Sequence, residues 1–314
     1  MILGIEIEPS SIKVAQVEKK YELTQWEIFE LPKGVIDSEG IVDSEGLVKT
    51  LMQIPYKFNK KNPRVALAVS GPTNTVVRII KVPFITKDEI MLNLPLELDK
   101  YIPFNVKEVY YDFHILEQSK EEGLTEIVVA VATRQIVNDY INICEKAGIT
   151  PVVIDIGALA LYNLYSINYN DKSTVAVINI GENVINFAIT KNRKPLYVRD
   201  STNSTNFYIN MNEANEEEIR NFADEISAEI YRQIGYFKTL VPEETVDEIF
   251  ITGFPIISPF FIASVSERLE QKIEIFNPFR KININKKISS KMQQYAHIAS
   301  ISMGLSLRGT EKIK

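Results

Sequence analysis

The same strand-turn-strand signature occurs twice in this chain. Leu3 to Val17 reads LGIEIEPSSIKVAQV, and Val175 to Thr190 reads VAVINIGENVINFAIT. Each is an apolar strand carrying an acid or an amide, then a tight turn, then a second strand with alternating apolar residues, which is the pattern of a β-hairpin. One supersecondary unit repeated so far apart points to a duplicated domain.

A chain of 314 residues that is 45% hydrophobic can give each of two domains its own core. Its 41 acidic against 35 basic side chains leave a net charge of −6, the wrong sign for a protein whose main partner is nucleic acid. The Lys57, Lys60, Lys61 cluster and the Arg280, Lys281, Lys286, Lys287 stretch read as solvated faces, with an anionic membrane surface as the lesser alternative. The longest apolar stretch, Ile251 to Val265, contains Gly253, Pro255 and Pro259 and is too short to span a bilayer. Glu6 and Glu8 make the N-terminus a strand and not a signal peptide. With Cys144 the only cysteine, no disulfide forms within the chain, and the expected compartment is the cytoplasm. His114 and His297 lie far apart in sequence, so no metal-ligand or Cys-His nucleophile pattern is visible.

Periodicity predicts strands at Ile2–Ile7, Ile12–Val17, Glu22–Leu31, Arg64–Val69 and Thr75–Val82, then a helix over Lys87–Leu98. Strands at Glu108–Leu116 and Thr125–Ala132 and a helix over Arg134–Ala147 close a β-rich inserted unit. The second half repeats the plan with strands at Thr174–Asn179, Val184–Thr190, Pro195–Arg199 and Glu248–Thr252, and a final helix over Ser290–Leu307 is expected to pack back onto the first half. The long helix Glu216–Leu240 carries an apolar stripe of Ile219, Phe222, Ala223, Ile226, Ile230, Ile234 and Phe237. Glu229 and Arg232 lie off that stripe and read as an i, i+3 surface pair, with a cleft-facing position as the lesser alternative.

The stretch Lys100 to Phe113, KYIPFNVKEVYYDF, resembles the signature of the type IV pilus assembly protein PilM family, cytoplasmic relatives of FtsA and actin. Ser10, Ser11 and Lys13 in the first hairpin support it, as do Arg199-Asp200, EIYRQIGYF at Glu229–Phe237, NPF at Asn277–Phe279 and the closing GLSLR. The resemblance implies an α/β, actin-like (ribonuclease H-like) fold of duplicated domains with an inserted 1C-type subdomain. It divides the chain into 1A (1–75 and 153–172, plus the helix 290–307), 1C (76–152), 2A (173–205 and 245–289) and 2B (206–244). It also implies a partner, the short N-terminal cytoplasmic tail of a PilN-like bitopic inner-membrane protein, which would recruit the chain to that membrane and connect it to the assembly motor. An extended tail with alternating apolar side chains can dock in an apolar cleft beside exposed backbone. Tyr101, Ile102, Pro103 and Phe104 are the candidates for shaping that surface; a loop that merely anchors 1C to its own sheet is the competing account.

The resemblance also names a nucleotide cleft, formed by Glu6, Ser10, Ser11, Lys13, Asn179, Gly181 and Gly253, and the sequence departs from it there. In proteins that clamp ATP between two related domains, hairpin turns offer N–H groups to the phosphates and an aspartate holds Mg²⁺ through water. Here Asp-Ile-Gly becomes Glu6-Ile7-Glu8-Pro9, the second aspartate becomes Asn179, Gly181 is followed by Glu182, a glutamate gives way to Gly157, and a double glycine becomes Gly253-Phe254, whose ring is expected to fill the base site. A carboxylate about 4 Å from a phosphate costs on the order of 4 kcal/mol at an effective dielectric near 20, roughly a thousandfold in affinity. Asp155 and Asp200 remain as acids better suited to capping loops. The expectation is a pseudo-ATPase scaffold with no cofactor, ATP and Mg²⁺ binding weakly at most. Two alternatives are a working actin-like ATPase and the cytoplasmic domain of a type II secretion L-type protein.

Overall fold

The computed structural model describes residues 2–37, 40–170, 172–203 and 214–309. In chain order the elements are β1 (Leu3–Ile7), β2 (Ser11–Glu18), β3 (Glu22–Glu30), α1 (Ser44–Leu51), α2 (Gln53–Lys57), β4 (Arg64–Val69), β5 (Thr75–Pro83), α3 (Lys87–Leu98), β6 (Val109–Ser119), β7 (Leu124–Thr133), α4 (Arg134–Lys146), β8 (Thr150–Ile156), α5 (Gly157–Asn168), β9 (Val175–Ile180), β10 (Val184–Lys191), β11 (Lys194–Thr202), α6 (Glu216–Leu240), β12 (Glu248–Gly253), α7 (Pro259–Leu269), β13 (Ile273–Ile275), β14 (Asn283–Ile284), α8 (Ser289–Tyr295) and α9 (Ser300–Leu307).

The duplication is real at the level of topology. The first sheet runs β14-β3-β2-β1-β4-β8 and the second β11-β10-β9-β12-β13. In each, a three-strand antiparallel meander is continued by two parallel strands, so β1 and β9 are equivalent centres. Even the outer hairpin turns match: Lys20 and Tyr21 have φ of 63° and 56°, Asn192 and Arg193 52° and 61°. Paired positive φ values give the turn whose twist suits a two-residue hairpin.

β1 is apolar along nearly its whole length because helices cover both faces of its sheet. Leu3 and Ile5 pack with Leu47, Leu51, Ile54 and Ile143 of α1, α2 and α4, while α5 and α9 close the opposite face. α9 comes close enough that a Cβ on Gly4 would lie 2.0 Å from the Ser302 carbonyl oxygen, and one on Gly304 2.1 Å from that of Ala160. Its buried hydroxyls complete the sheet: Val17 N–H, at a bulge in β2, donates to Ser306 Oγ (2.8 Å), and the Trp26 indole N–H to Ser302 Oγ (3.2 Å). In the second lobe α6 and α7 supply Phe222, Ile226, Ile230, Phe261 and Val265 to the far face, and α5 lies between the two lobes.

A three-stranded sheet, β5-β7-β6, forms the inserted unit. α3 covers one face through Ile90, Leu94 and Leu98, and Val77 and Val128 on the other meet Ile156, Ala158 and Val198. The rest of residues 76–152 behaves differently: α4 and β8 join the first sheet. Of residues 206–244 the described part holds α6, packed on the second sheet; residues 206–213 lie outside the described residues.

Two sequence expectations need correction. The final helix is broken: Ala296–Ile298 forms a 3₁₀ turn between α8 and α9, where the His297 carbonyl accepts the buried Thr252 hydroxyl (2.8 Å). Glu229 is not a surface residue but is 6% exposed. It accepts from the Ser201 hydroxyl and from Gln233 Nε2 (2.6 Å), in addition to pairing with Arg232.

Candidate functional site

The two hairpin turns face each other across the lobes, and each is closed by its own backbone. In the first, Glu8 N–H donates to Ser11 carbonyl (2.9 Å); in the second, Gly181 N–H donates to Val184 carbonyl (3.0 Å). The side chains then cross over. Glu8 Oε1 accepts the N–H of Glu182 (3.1 Å), while Glu182 Oε2 accepts the N–H of Ser10 (2.9 Å) and Oε1 its hydroxyl. Gly181 makes room for this, since a Cβ there would lie 2.4 Å from Glu8 Oε1. The cleft left between the turns is lined by Glu6, Glu8, Pro9, Ser70, Asn183 and Asn186, among others.

Behind the turns sits a buried charge cluster. Glu6 and Lys13 are cross-strand partners on β1 and β2, with Nζ 3.7 Å from Glu6 Oε1, and Lys13 also pairs directly with Glu8. Among the described residues Glu6 Oε2 has no hydrogen-bond partner. Burial pushes the Glu6 carboxyl up to about 8, and the Glu8 and Glu182 carboxylates add to the rise against the opposing pull of Lys13. Burial likewise raises Glu182, to about 7. For Lys13 burial works the other way and is outweighed by Glu6, Glu8 and Glu182, so its ammonium is held above the ordinary range.

These shifts fix a pH dependence. A carboxyl raised in the folded state binds its proton more tightly folded than unfolded, so stability falls as pH climbs from the ordinary carboxyl value of 4.5 toward about 8. The Lys13 contribution is present throughout that window and is lost only at higher pH. We therefore expect urea-unfolding stability to be lower at about pH 8 than at about pH 5, by up to about 1.4 kcal/mol per pH unit for each group. Glu6→Gln should flatten the slope; an unchanged slope would show that Glu6 does not titrate in this range.

Asn179, the amide in place of the second aspartate, turns to Asn186 (Nδ2 to Oδ1, 2.9 Å), and Asn186 Nδ2 donates to Asp200 Oδ1 (2.8 Å). Asp200 also accepts the N–H groups of Gly71 (3.3 Å) and of Ala158 in the first turn of α5 (3.2 Å). A Cβ on Gly157 would lie 2.6 Å from Ser70 Oγ and 2.7 Å from Asn186 Nδ2, so this network fills the space a side chain at 157 would need.

Of the residues expected here, Glu6, Ser10, Ser11, Lys13, Asn179 and Gly181 gather at the paired turns, Ser11 through its backbone. Gly253, at φ 114°, sits beneath them, where a Cβ would lie 2.2 Å from the Ile180 carbonyl oxygen. Its neighbour does not act as anticipated: the Phe254 ring stacks toward Phe222 (centroids 5.8 Å apart) in the second core instead of filling the cleft. Sequence reasoning missed Asn186 and the mutual use of Glu8 and Glu182. An acid in the turn of both copies was the available signal.

A second surface lies between the first lobe and the inserted unit. Its walls are Tyr110, Tyr111 and Asp112 of β6, Ala130–Ala132 of β7, Ile154–Ile156 of β8, with Val69 and Val137. β6 and β8 are each terminal in their sheets, so the groove runs between two strand edges. Asp155 is raised by burial, against the pull of Arg308, whose Nε lies 3.3 Å away. Tyr101–Phe104 are elsewhere: Ile102 and Phe104 pack into the core beneath α3, and the Tyr101 carbonyl accepts from Arg78 Nε (3.1 Å).

A match to the family described as type IV pilus assembly protein PilM runs over residues 4–211 and 210–310. The chain belongs to the PilM family. A solved PilM-PilN type IV pilus biogenesis complex contains a chain 22% identical to it, with a TM-score of 0.84 over 99% of each. The cytoplasmic domain of EpsL, an inner-membrane component of the Vibrio cholerae type II secretion system, is 9% identical (TM-score 0.51; 100% of this chain, 96% of that one). The ethanolamine utilization protein EutJ from Carboxydothermus hydrogenoformans is 11% identical (TM-score 0.54; 98% and 89%). These likenesses show the actin-like fold of this PilM family member. Among the described residues no helix is long and apolar enough to cross a membrane.

Proposed function

We propose that this PilM family member is an actin-like scaffold of a type IV pilus assembly complex. In this reading it holds the N-terminal cytoplasmic tail of a PilN-like inner-membrane protein and takes no part in ATP chemistry. The observation that carries the reading is the groove between β6 and β8. An extended tail lying there meets two strand edges for main-chain bonding and apolar walls from Val69, Val131, Val137 and Ile154, the combination used in strand addition. Family membership and the likeness to a chain of a PilM-PilN complex support it. Membrane recruitment then follows from the partner.

The nucleotide half of the proposal rests on the paired turns, whose N–H groups at Ser10 and Glu182 already have carboxylate acceptors. Calorimetry with a synthetic PilN-tail peptide is expected to give saturable binding of equal strength with and without millimolar Mg-ATP, and Mg-ATP alone to give no heat. Ala130→Arg, which places a cation in the groove wall, should weaken the peptide by roughly tenfold or more. Peptide binding that needs ATP would sink the pseudo-ATPase half; peptide binding untouched by Ala130→Arg would move the site away from this groove.

A further inference from the structure

Turns and helix starts that present backbone N–H groups are anion receptors; in this molecule three such groups are met by carboxylates that reach across from the opposite lobe, and a fourth, at the start of α5 between the lobes, by one of the same carboxylates. Glu8, on the first lobe, accepts from Glu182 N–H on the second. Glu182 returns the contact to Ser10 N–H. Asp200, on β11 of the second lobe, accepts from Gly71, which follows β4, and from Ala158 in α5. We infer that Glu8, Glu182 and Asp200 together form an internal clasp that keeps the lobes closed in the absence of any bound anion.

The exchange between the turns is reciprocal, so neither can move away without losing both contacts at once. The clasp is also braced from behind. Lys13 pairs with Glu8, Gly181 admits its carboxylate, and Asn186 fixes Asp200 Oδ1 while it is itself held by Asn179. In a two-lobed clamp of this kind a ligand that bonds both sides shifts the population toward the closed state. Here covalently attached carboxylates occupy that role, so closure becomes a permanent property of the fold instead of a response to a ligand. This goes beyond the scaffold proposal and does not depend on it.

Lobe separation can be read by pulsed electron-electron spin resonance on the full chain, labelled at Tyr56→Cys of α2 and Glu225→Cys of α6, both exposed, with Cys144 buried. The expected result is one narrow distance distribution, unchanged by millimolar Mg-ATP or pyrophosphate. Glu8→Ala combined with Glu182→Ala should lengthen and broaden it, while Glu182→Gln, which keeps an acceptor oxygen for Ser10, should stay near the parent. A broad parent distribution, or a double variant indistinguishable from the parent, would overturn the inference. Should the double variant fail to fold, hydrogen exchange on the unaltered chain decides: the Ser10, Gly71, Ala158 and Glu182 amides are expected to be protected, and fast exchange at all four would refute the clasp. A chain that binds no tail peptide yet gives the narrow distribution loses the scaffold reading and keeps this one.

Discussion

Replacing Lys13 with alanine is expected to lower the unfolding free energy by about 3–5 kcal/mol, the cost of removing one partner from a buried ion pair. The Lys13 side chain is 4% exposed and faces two carboxylates, Glu6 and Glu8, on the adjacent strand and turn. Without the ammonium Glu6 remains largely desolvated beside the Glu8 carboxylate, and the fold must protonate Glu6 or open. The penalty should therefore be larger at about pH 8 than at about pH 5, where Glu6 holds a proton in any case. Urea titrations of the parent, Lys13→Ala, and Lys13→Ala with Glu6→Gln measure it; the double substitution should recover part of the loss. A loss below about 1 kcal/mol, typical of an exposed pair, would show that the cluster is hydrated.

The second large effect is steric. Gly304→Ala adds only a methyl group, yet that carbon would lie 2.1 Å from the Ala160 carbonyl oxygen and 2.7 Å from its carbonyl carbon. Both obstacles are backbone of α5, so neither can swing aside, and the cost should reach or exceed the about 1–3 kcal/mol usual for an overfilled core. Gly235→Ala is the matched control: it also lies in a helix, α6, but with nothing within 4 Å of the new Cβ. There the gain in helix propensity should raise stability by about 0.5–1 kcal/mol. Thermal melts that shift the two variants by similar amounts would contradict the close α5–α9 approach.

What could be read from the sequence was whatever depends on neighbours along the chain. The hairpins around β1 and β9 follow from alternation and turn residues, and α6 from its apolar stripe; the reciprocal cap of Asn215 and Glu218 at its start is added by the structure. The departures at Glu8, Asn179, Glu182 and Gly157 were visible as residue types. Their consequences were not, because they depend on what the other lobe brings near: Glu182 meets Ser10 across 172 positions. The same holds for Glu229, which accepts from Ser201 on β11, and for the break at His297, whose carbonyl accepts from Thr252 on β12. The place of Phe254 beside Gly253 points its ring to the cleft, whereas the core around Phe222 claims it. The signature Lys100 to Phe113 spans both outcomes, since Tyr110–Asp112 line the groove and Ile102 and Phe104 support α3 from within.

The way α9 fills the space over β1 has a bearing on biosynthesis. β1 is synthesised well before residues 300–307, whose hydroxyls satisfy Val17 and Trp26 and whose glycine lets α5 settle. The far face of the second sheet draws its core from residues 176–273 alone. Nascent chains are thus expected to keep β1 exposed and dependent on chaperones until α9 emerges.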